Sequence, residues 1–155
     1  MRFDATLNYA SLRSIAALAQ AAETFGFDGL WTTETVHNPF LPITLAASVT
    51  QRVSLGTAIA VAFPRSPMVV AQLAWDLAEQ SAGRFILGLG TQVKPHITRR
   101  FSTVWDSPGP RLREYILSLR AIWDTFQKNT PLNYKGEFYQ FSLMTPFFNP
   151  GPIKT

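Results

Sequence analysis

The sequence predicts an α/β chain built on a parallel sheet, and three features point there. Short apolar runs alternate with amphipathic helical stretches in the order β-α-β-α-β-α-β; the links between them are short; and the later runs are apolar almost throughout. Strands alternating with helices over short links imply right-handed crossovers between parallel strands. A run that is apolar at every position suits a strand covered on both faces better than a half-wet antiparallel one.

Taken in order, Phe3 to Leu7 is a short extended segment, followed by a helix opening near Ser11. Leu12, Ile15, Ala16, Ala19 and Ala22 recur at helical spacing, and Gly26 sits where a left-handed cap is expected. Gly29 to Thr33 is the second strand, and Pro42 precedes a second helical stretch, Ile43 to Val49. Val53 to Val61 reads as one long third strand. Ser66-Pro67 is a strong helix start, a capping hydroxyl followed by proline at the first helical position. Val69, Val70, Leu73, Ala74 and Leu77 form the stripe of that helix; Gly83 ends it, and Phe85 to Leu89 is the fourth strand.

A longer polar loop runs from Thr91 to Gly109. The next helix spans about Pro110 to Asn129, with Leu112, Ile116, Leu119, Trp123 and Phe126 on one face. Residues 130–155 read as a hairpin around Lys135-Gly136 and a Pro-rich tail (Pro146, Pro150, Pro152) within the same domain, which covers 1–155.

Composition narrows the function classes. The chain has 155 residues, 46% hydrophobic and 15% charged, which favours a globular fold over disorder. No apolar run reaches the ~18 residues of a membrane span, and the N-terminus does not read as a signal peptide. There are no cysteines, which excludes disulfides and thiolate metal sites and fits the cytoplasm. The net charge of +4 is scattered, with only Lys94, Arg99 and Arg100 loosely grouped. That is no nucleic-acid stripe; the group is either a solvated face or an attractor for a phosphorylated or carboxylated ligand.

In parallel α/β folds, ligands bind where the loops leave the carboxyl ends of the strands. That rule selects Asn8 and Tyr9, then Thr33, Glu34 and His37, the stretch Ala58 to Val61, and Gly90, Thr91 and Gln92. Glu34 and His37 could form an acid/base pair beside a ligand, although a lone histidine is more often structural. Gly88 and Gly90 lack the spacing of a dinucleotide fingerprint. Trp31 and Trp105 are the tryptophans whose neighbours could place them near a pocket. No Ser-His-Asp order, P-loop or metal-ligand cluster is present, which weakens hydrolase, kinase and metalloenzyme readings.

The segments Gly26-Phe27-Asp28-Gly29-Leu30-Trp31 with Glu34 and His37, Arg52-Val53-Ser54-Leu55-Gly56-Thr57-Ala58, and Gly83-Arg84-Phe85-Ile86-Leu87-Gly88-Leu89-Gly90 resemble the luciferase-like monooxygenase superfamily. The chain is most similar to the branch that uses the deazaflavin coenzyme F420, and the resemblance extends through Gly136 to Phe141. It implies the N-terminal half of a parallel (β/α)₈ TIM barrel, truncated after about four βα units. A non-proline cis peptide is expected at Ala58–Ile59, bulging against the cofactor ring. The implied cofactor contacts are Thr33, Ala58, Ile59, Ala60, Gly90 and Thr91, with Glu34 and His37 as the catalytic proton carriers. The implied activity is hydride transfer between F420 and a small organic substrate. Two alternatives stand beside it: an FMN-dependent monooxygenase, and an inactive half-barrel that self-associates. Because the first and fourth strands would be open edges, a homo-oligomer is expected.

Overall fold

Four of the apolar runs pair as a parallel sheet in the computed structural model, which describes residues 1–7 and 11–153. They are Asp4–Thr6 (β1), Gly29–Thr32 (β2), Ser54–Thr57 (β3) and Phe85–Ile86 (β5), in the order β1-β2-β3-β5. Ala60–Val61 (β4) pairs with Leu89–Gly90 (β6), and Tyr134–Lys135 (β7) pairs antiparallel with Gln140–Phe141 (β8) around Gly136. The helices are Ile15–Thr24 (α1), Phe40–Val49 (α2), Pro67–Gln80 (α3) and Pro108–Lys128 (α4). The chain divides into two compact units, Met1–Ala60 with Asp76–Leu89, and Val61–Trp75 with Gly90–Lys154.

The first unit holds the four-stranded sheet. Ser11 caps a short 3-10 turn that leads into α1, its hydroxyl accepting from the Arg13 N–H at 3.3 Å. Gly26, at φ +86°, and Gly83, at φ +80°, turn the chain out of the first and third helices. The helix-facing side of the sheet is apolar: Leu30 and Leu55 are in register and fully buried, with Ile15, Ala19, Ile43 and Ala46 of α1 and α2 also excluded from water.

The amino end of the sheet is held by polar contacts. The Glu23 carboxylate accepts N–H bonds from Gln51 at 2.9 Å, Arg52 at 2.7 Å and Val53 at 2.9 Å. Burial alone would raise its pKa, but these backbone donors and the Arg52 guanidinium outweigh it and hold the group below its ordinary value. Beside it, Arg84 donates to the carbonyls of Val53 at 2.8 Å and Thr50 at 2.9 Å. These contacts stabilise the end of the sheet opposite the one where ligands bind.

The second unit is organised around α4. Glu114 accepts the N–H groups of Glu137 at 2.8 Å and Phe138 at 2.9 Å, fastening the β7–β8 hairpin to the helix. Arg111 lies over the Phe63 ring, 4.7 Å from its centroid, and its Nε donates to the Tyr139 hydroxyl at 3.1 Å. Tyr115 packs edge-on to Tyr139 with centroids 5.6 Å apart. Its own hydroxyl is buried without a hydrogen-bond partner among the described residues, and burial pushes its pKa up.

Several sequence expectations are corrected here. The expected strand from Val53 to Val61 is broken into β3 and β4 at Ala58–Ile59, and the fourth is likewise split into β5 and β6. The second helix begins at Phe40, capped locally by Asn38 Oδ1, which accepts from the Phe40 N–H at 2.9 Å; Pro42 lies inside its first turn. In α3, Val70, Ala74 and Leu77 are buried while Val69 is 54% exposed. In α4 the buried face runs through Tyr115, Ser118, Leu119, Ile122, Thr125 and Phe126, leaving Ile116 exposed and Leu112 and Trp123 half-buried. The loop from Thr91 also contains a π-helical turn, His96–Arg100, that the residues did not signal.

Candidate functional site

Alternation along β1 and β2 sends one set of side chains away from the helices. Thr6, Trp31, Gly56 and Ile86 share one register across the four strands. The Trp31 Nε1–H donates to Asp4 Oδ2 at 2.9 Å, which holds the indole flat along this face. Its six-membered ring occupies the space a side chain at Gly56 would fill; a Cβ there would collide with it. A shallow groove of about 450 Å³ results, lined by Asp4, Ala5, Thr6, Trp31 and Ala58.

The groove reaches the carboxyl end of β3, where the backbone is unusual. The Ala58–Ile59 peptide is cis, and both residues are exposed while Ala60 is buried. The Ala58 N–H donates to the Thr32 carbonyl at 2.7 Å, so the bulge is tied to the last residue of β2. Thr57 supports it from the other side: its hydroxyl donates to the Gly88 carbonyl at 2.8 Å and accepts from the Gly88 N–H at 3.0 Å. Gly88 has no room for a side chain, since a Cβ would overlap the Thr57 carbonyl.

The sequence-selected residues fall as follows. Thr33, Glu34 and His37 all lie on the link that leaves β2, directly after Thr32; Thr33 and His37 are exposed and Glu34 is buried at 8% exposure. Thr32, to which Ala58 is bonded, also anchors that link by donating its hydroxyl to the Pro39 carbonyl at 2.8 Å. Thus the β2 link and the Ala58–Ile59 bulge adjoin. Gly90 and Thr91 belong to the second unit, where Gly90 accepts the Ala62 N–H at 2.9 Å and the Thr91 hydroxyl donates to the Gln92 carbonyl at 2.9 Å. Trp105 packs edge-on to Phe63 in that unit, and Lys94, Arg99 and Arg100 are exposed. Asn8 and Tyr9 lie outside the described residues. Among the described residues there is no group of His, Asp or Glu able to hold a metal ion, and no helix is long and apolar enough to cross a membrane.

Two contributors were not singled out from the residues. Asp4 carries a signal only in hindsight, as a charged residue alternating with Phe3 and Ala5 in a short strand. Thr57 carries none, because its partner Gly88 is distant in the chain.

A planar ring cofactor fits what is present. The groove falls within the roughly 300–1,000 Å³ of small-ligand clefts, and its walls are an indole face, small side chains and backbone. Alanine at position 58 lets a flat ring approach the backbone closely, and Asp4 and Thr6 supply polar atoms at the rim.

The chain is 55% identical over 141 residues to an uncharacterized protein of Mycobacterium tuberculosis, covering 91% of this chain and 42% of that protein. It is 30% identical over 143 residues to the F420-dependent glucose-6-phosphate dehydrogenase of Mycobacterium avium, covering 83% of this chain and 41% of the relative. Among solved structures, it matches the oxygenating constituent of 3,6-diketocamphane monooxygenase from Pseudomonas putida in complex with FMN. That match has a TM-score of 0.76 at 19% identity and covers 94% of this chain and 45% of that one. The chain therefore spans less than half the length of the curated relatives it matches, and its fold corresponds to half of a luciferase-like (β/α)₈ barrel. The model of the luciferase-like monooxygenases matches residues 1–155 throughout, and the chain belongs to that family.

Proposed function

We propose that this chain forms part of the ring-binding half of an oxidoreductase that moves a hydride between coenzyme F420 and a small organic substrate. The observation that carries the reading is the groove beside Trp31 and Ala58, open at the carboxyl ends of the strands. Bound there, the deazaflavin supplies the hydride chemistry; the protein supplies orientation and proton management. Ala58 and Ile59 back the ring, and Thr33 borders its edge. Glu34 and His37 hold or move the proton that accompanies the hydride; such positioned groups contribute about 10²–10⁴-fold. Support comes from the likeness to an F420-dependent dehydrogenase at 30% identity.

An FMN-dependent monooxygenase is the second reading, supported by the likeness to a flavin-bound monooxygenase. In either case we propose that the chain self-associates, because among the described residues β1 and β5 are the outer strands of its parallel sheet. Absorbance titrations with F420 and with FMN separate the readings. We expect a weak, saturable spectral change with F420 and less with FMN; the reverse order favours the second reading. No change with either ring would sink both.

A further inference from the structure

We propose that the basic turn from Lys94 to Arg100 binds the phosphate groups of a small phosphorylated ligand. The inference goes beyond the ring-binding reading and is carried by the second unit alone. Fourteen basic residues against ten acidic ones give the chain its net +4. Four of the fourteen, Arg84, Lys94, Arg99 and Arg100, lie between Gln80 and Trp105, a stretch without Asp or Glu. The other ten basic residues therefore match the ten acidic ones. Arg84 is engaged by the carbonyls of Thr50 and Val53. The uncompensated charge is thus concentrated in one turn, with His96 beside it.

The turn is held in shape by its own backbone. It follows the carboxyl end of β6, and that end of a parallel strand is where ligands bind. Ile97 is fully buried, and the Val93 carbonyl accepts the N–H groups of both His96 and Ile97 at 3.1 Å. The Thr98 hydroxyl donates to the Lys94 carbonyl at 2.9 Å. The Phe101 N–H donates to the His96 carbonyl, five residues back, at 3.0 Å, which closes the π turn; such turns occur mostly at functional sites. In that geometry Arg99 stands one turn above Lys94. With Ile97 on the inner side, Lys94, His96, Arg99 and Arg100 are all exposed. Lys94, His96 and Arg99 have no carboxylate partner among the described residues. Two cations one turn apart repel, and an anion bridging them relieves the repulsion. The arginine fork matches two phosphate oxygens, and the lysine adds a point charge. Seven residues are too short for the extended basic stripe that a nucleic acid needs.

Titration calorimetry of the 155-residue chain with inorganic pyrophosphate, at low ionic strength and without ring cofactor, should show saturable one-to-one binding. Lys94→Gln with Arg99→Gln should weaken it by about tenfold or more. Arg13→Gln with Arg120→Gln removes the same charge from exposed positions elsewhere and should leave binding unchanged. Amide shifts in NMR spectra of the natural chain should concentrate at residues 93–101, which decides the matter should circular dichroism show the Lys94/Arg99 variant unfolded. No saturable heat, equal losses in the two double variants, or shifts spread over other basic residues would each overturn the proposal. So would citrate or a short single-stranded oligonucleotide binding as tightly as pyrophosphate. Because no ring cofactor is present, failure here is distinct from failure of the ring-binding reading.

Discussion

Trp31 spans three strands, its Nε1–H bonded to Asp4 at 2.9 Å on β1 and its six-membered ring laid over Gly56 on β3. The indole thus forms the floor of the groove, and its position depends on an acceptor on one side and an absent side chain on the other. Gly56→Ala should displace the ring and destabilise the chain by about 1–3 kcal/mol, the usual cost of overpacking. Urea denaturation followed by tryptophan fluorescence checks this; an unchanged midpoint would mean that the ring is not confined as described.

Thr57 is nearly fully buried and makes two hydrogen bonds to Gly88, beside the exposed Ala58–Ile59 bulge. Thr57→Val keeps the shape but leaves the half-buried Gly88 N–H and carbonyl without their partner, at a cost of about 1 kcal/mol or more. Chemical denaturation should show the loss, whereas Thr57→Ser should retain most of the stability.

Tyr115 makes the opposite case. Its hydroxyl is buried and has no hydrogen-bond partner among the described residues, so the polar atom costs desolvation without return. Tyr115→Phe should therefore leave the melting temperature unchanged or raise it. A clear fall in calorimetry would reveal a partner for that oxygen.

Glu23 ties the acid sensitivity of the chain to one turn. Its folded pKa lies below the ordinary 4.5, so its stabilising contribution is intact well above that value and is lost as pH falls through the folded pKa. Urea midpoints measured from about pH 6 down to about pH 3 should fall more steeply for the natural chain than for Glu23→Gln. Equal slopes would show that the carboxylate is not the linked group. Glu114, also held below its ordinary value, should keep the Glu23→Gln slope from vanishing.

What the residues determine by themselves is local. The cap at Ser66-Pro67, the left-handed exits at Gly26 and Gly83, the turn at Gly136 and the order of strands and helices each depend on neighbours a few positions away. Strand ends follow from that order, so the sequence alone puts Thr33, Glu34 and Ala58 at one end of the sheet. Tertiary structure decided what lies beside what. Periodicity marks Leu112 and Ile116 as apolar, but their exposure follows from which side of α4 meets the rest of its unit, and that meeting buries Ser118 and Thr125 instead. The run from Val53 to Val61 is apolar enough for one strand, yet it breaks after Thr57, where Ala58 bonds back to Thr32 and Ala60 bonds to Gly88. The pairing of Asp4 with Trp31 joins residues 27 positions apart. Backbone propensity acts over a few residues, whereas register and packing join residues that are close only once the chain has folded, so the groove became visible only in three dimensions.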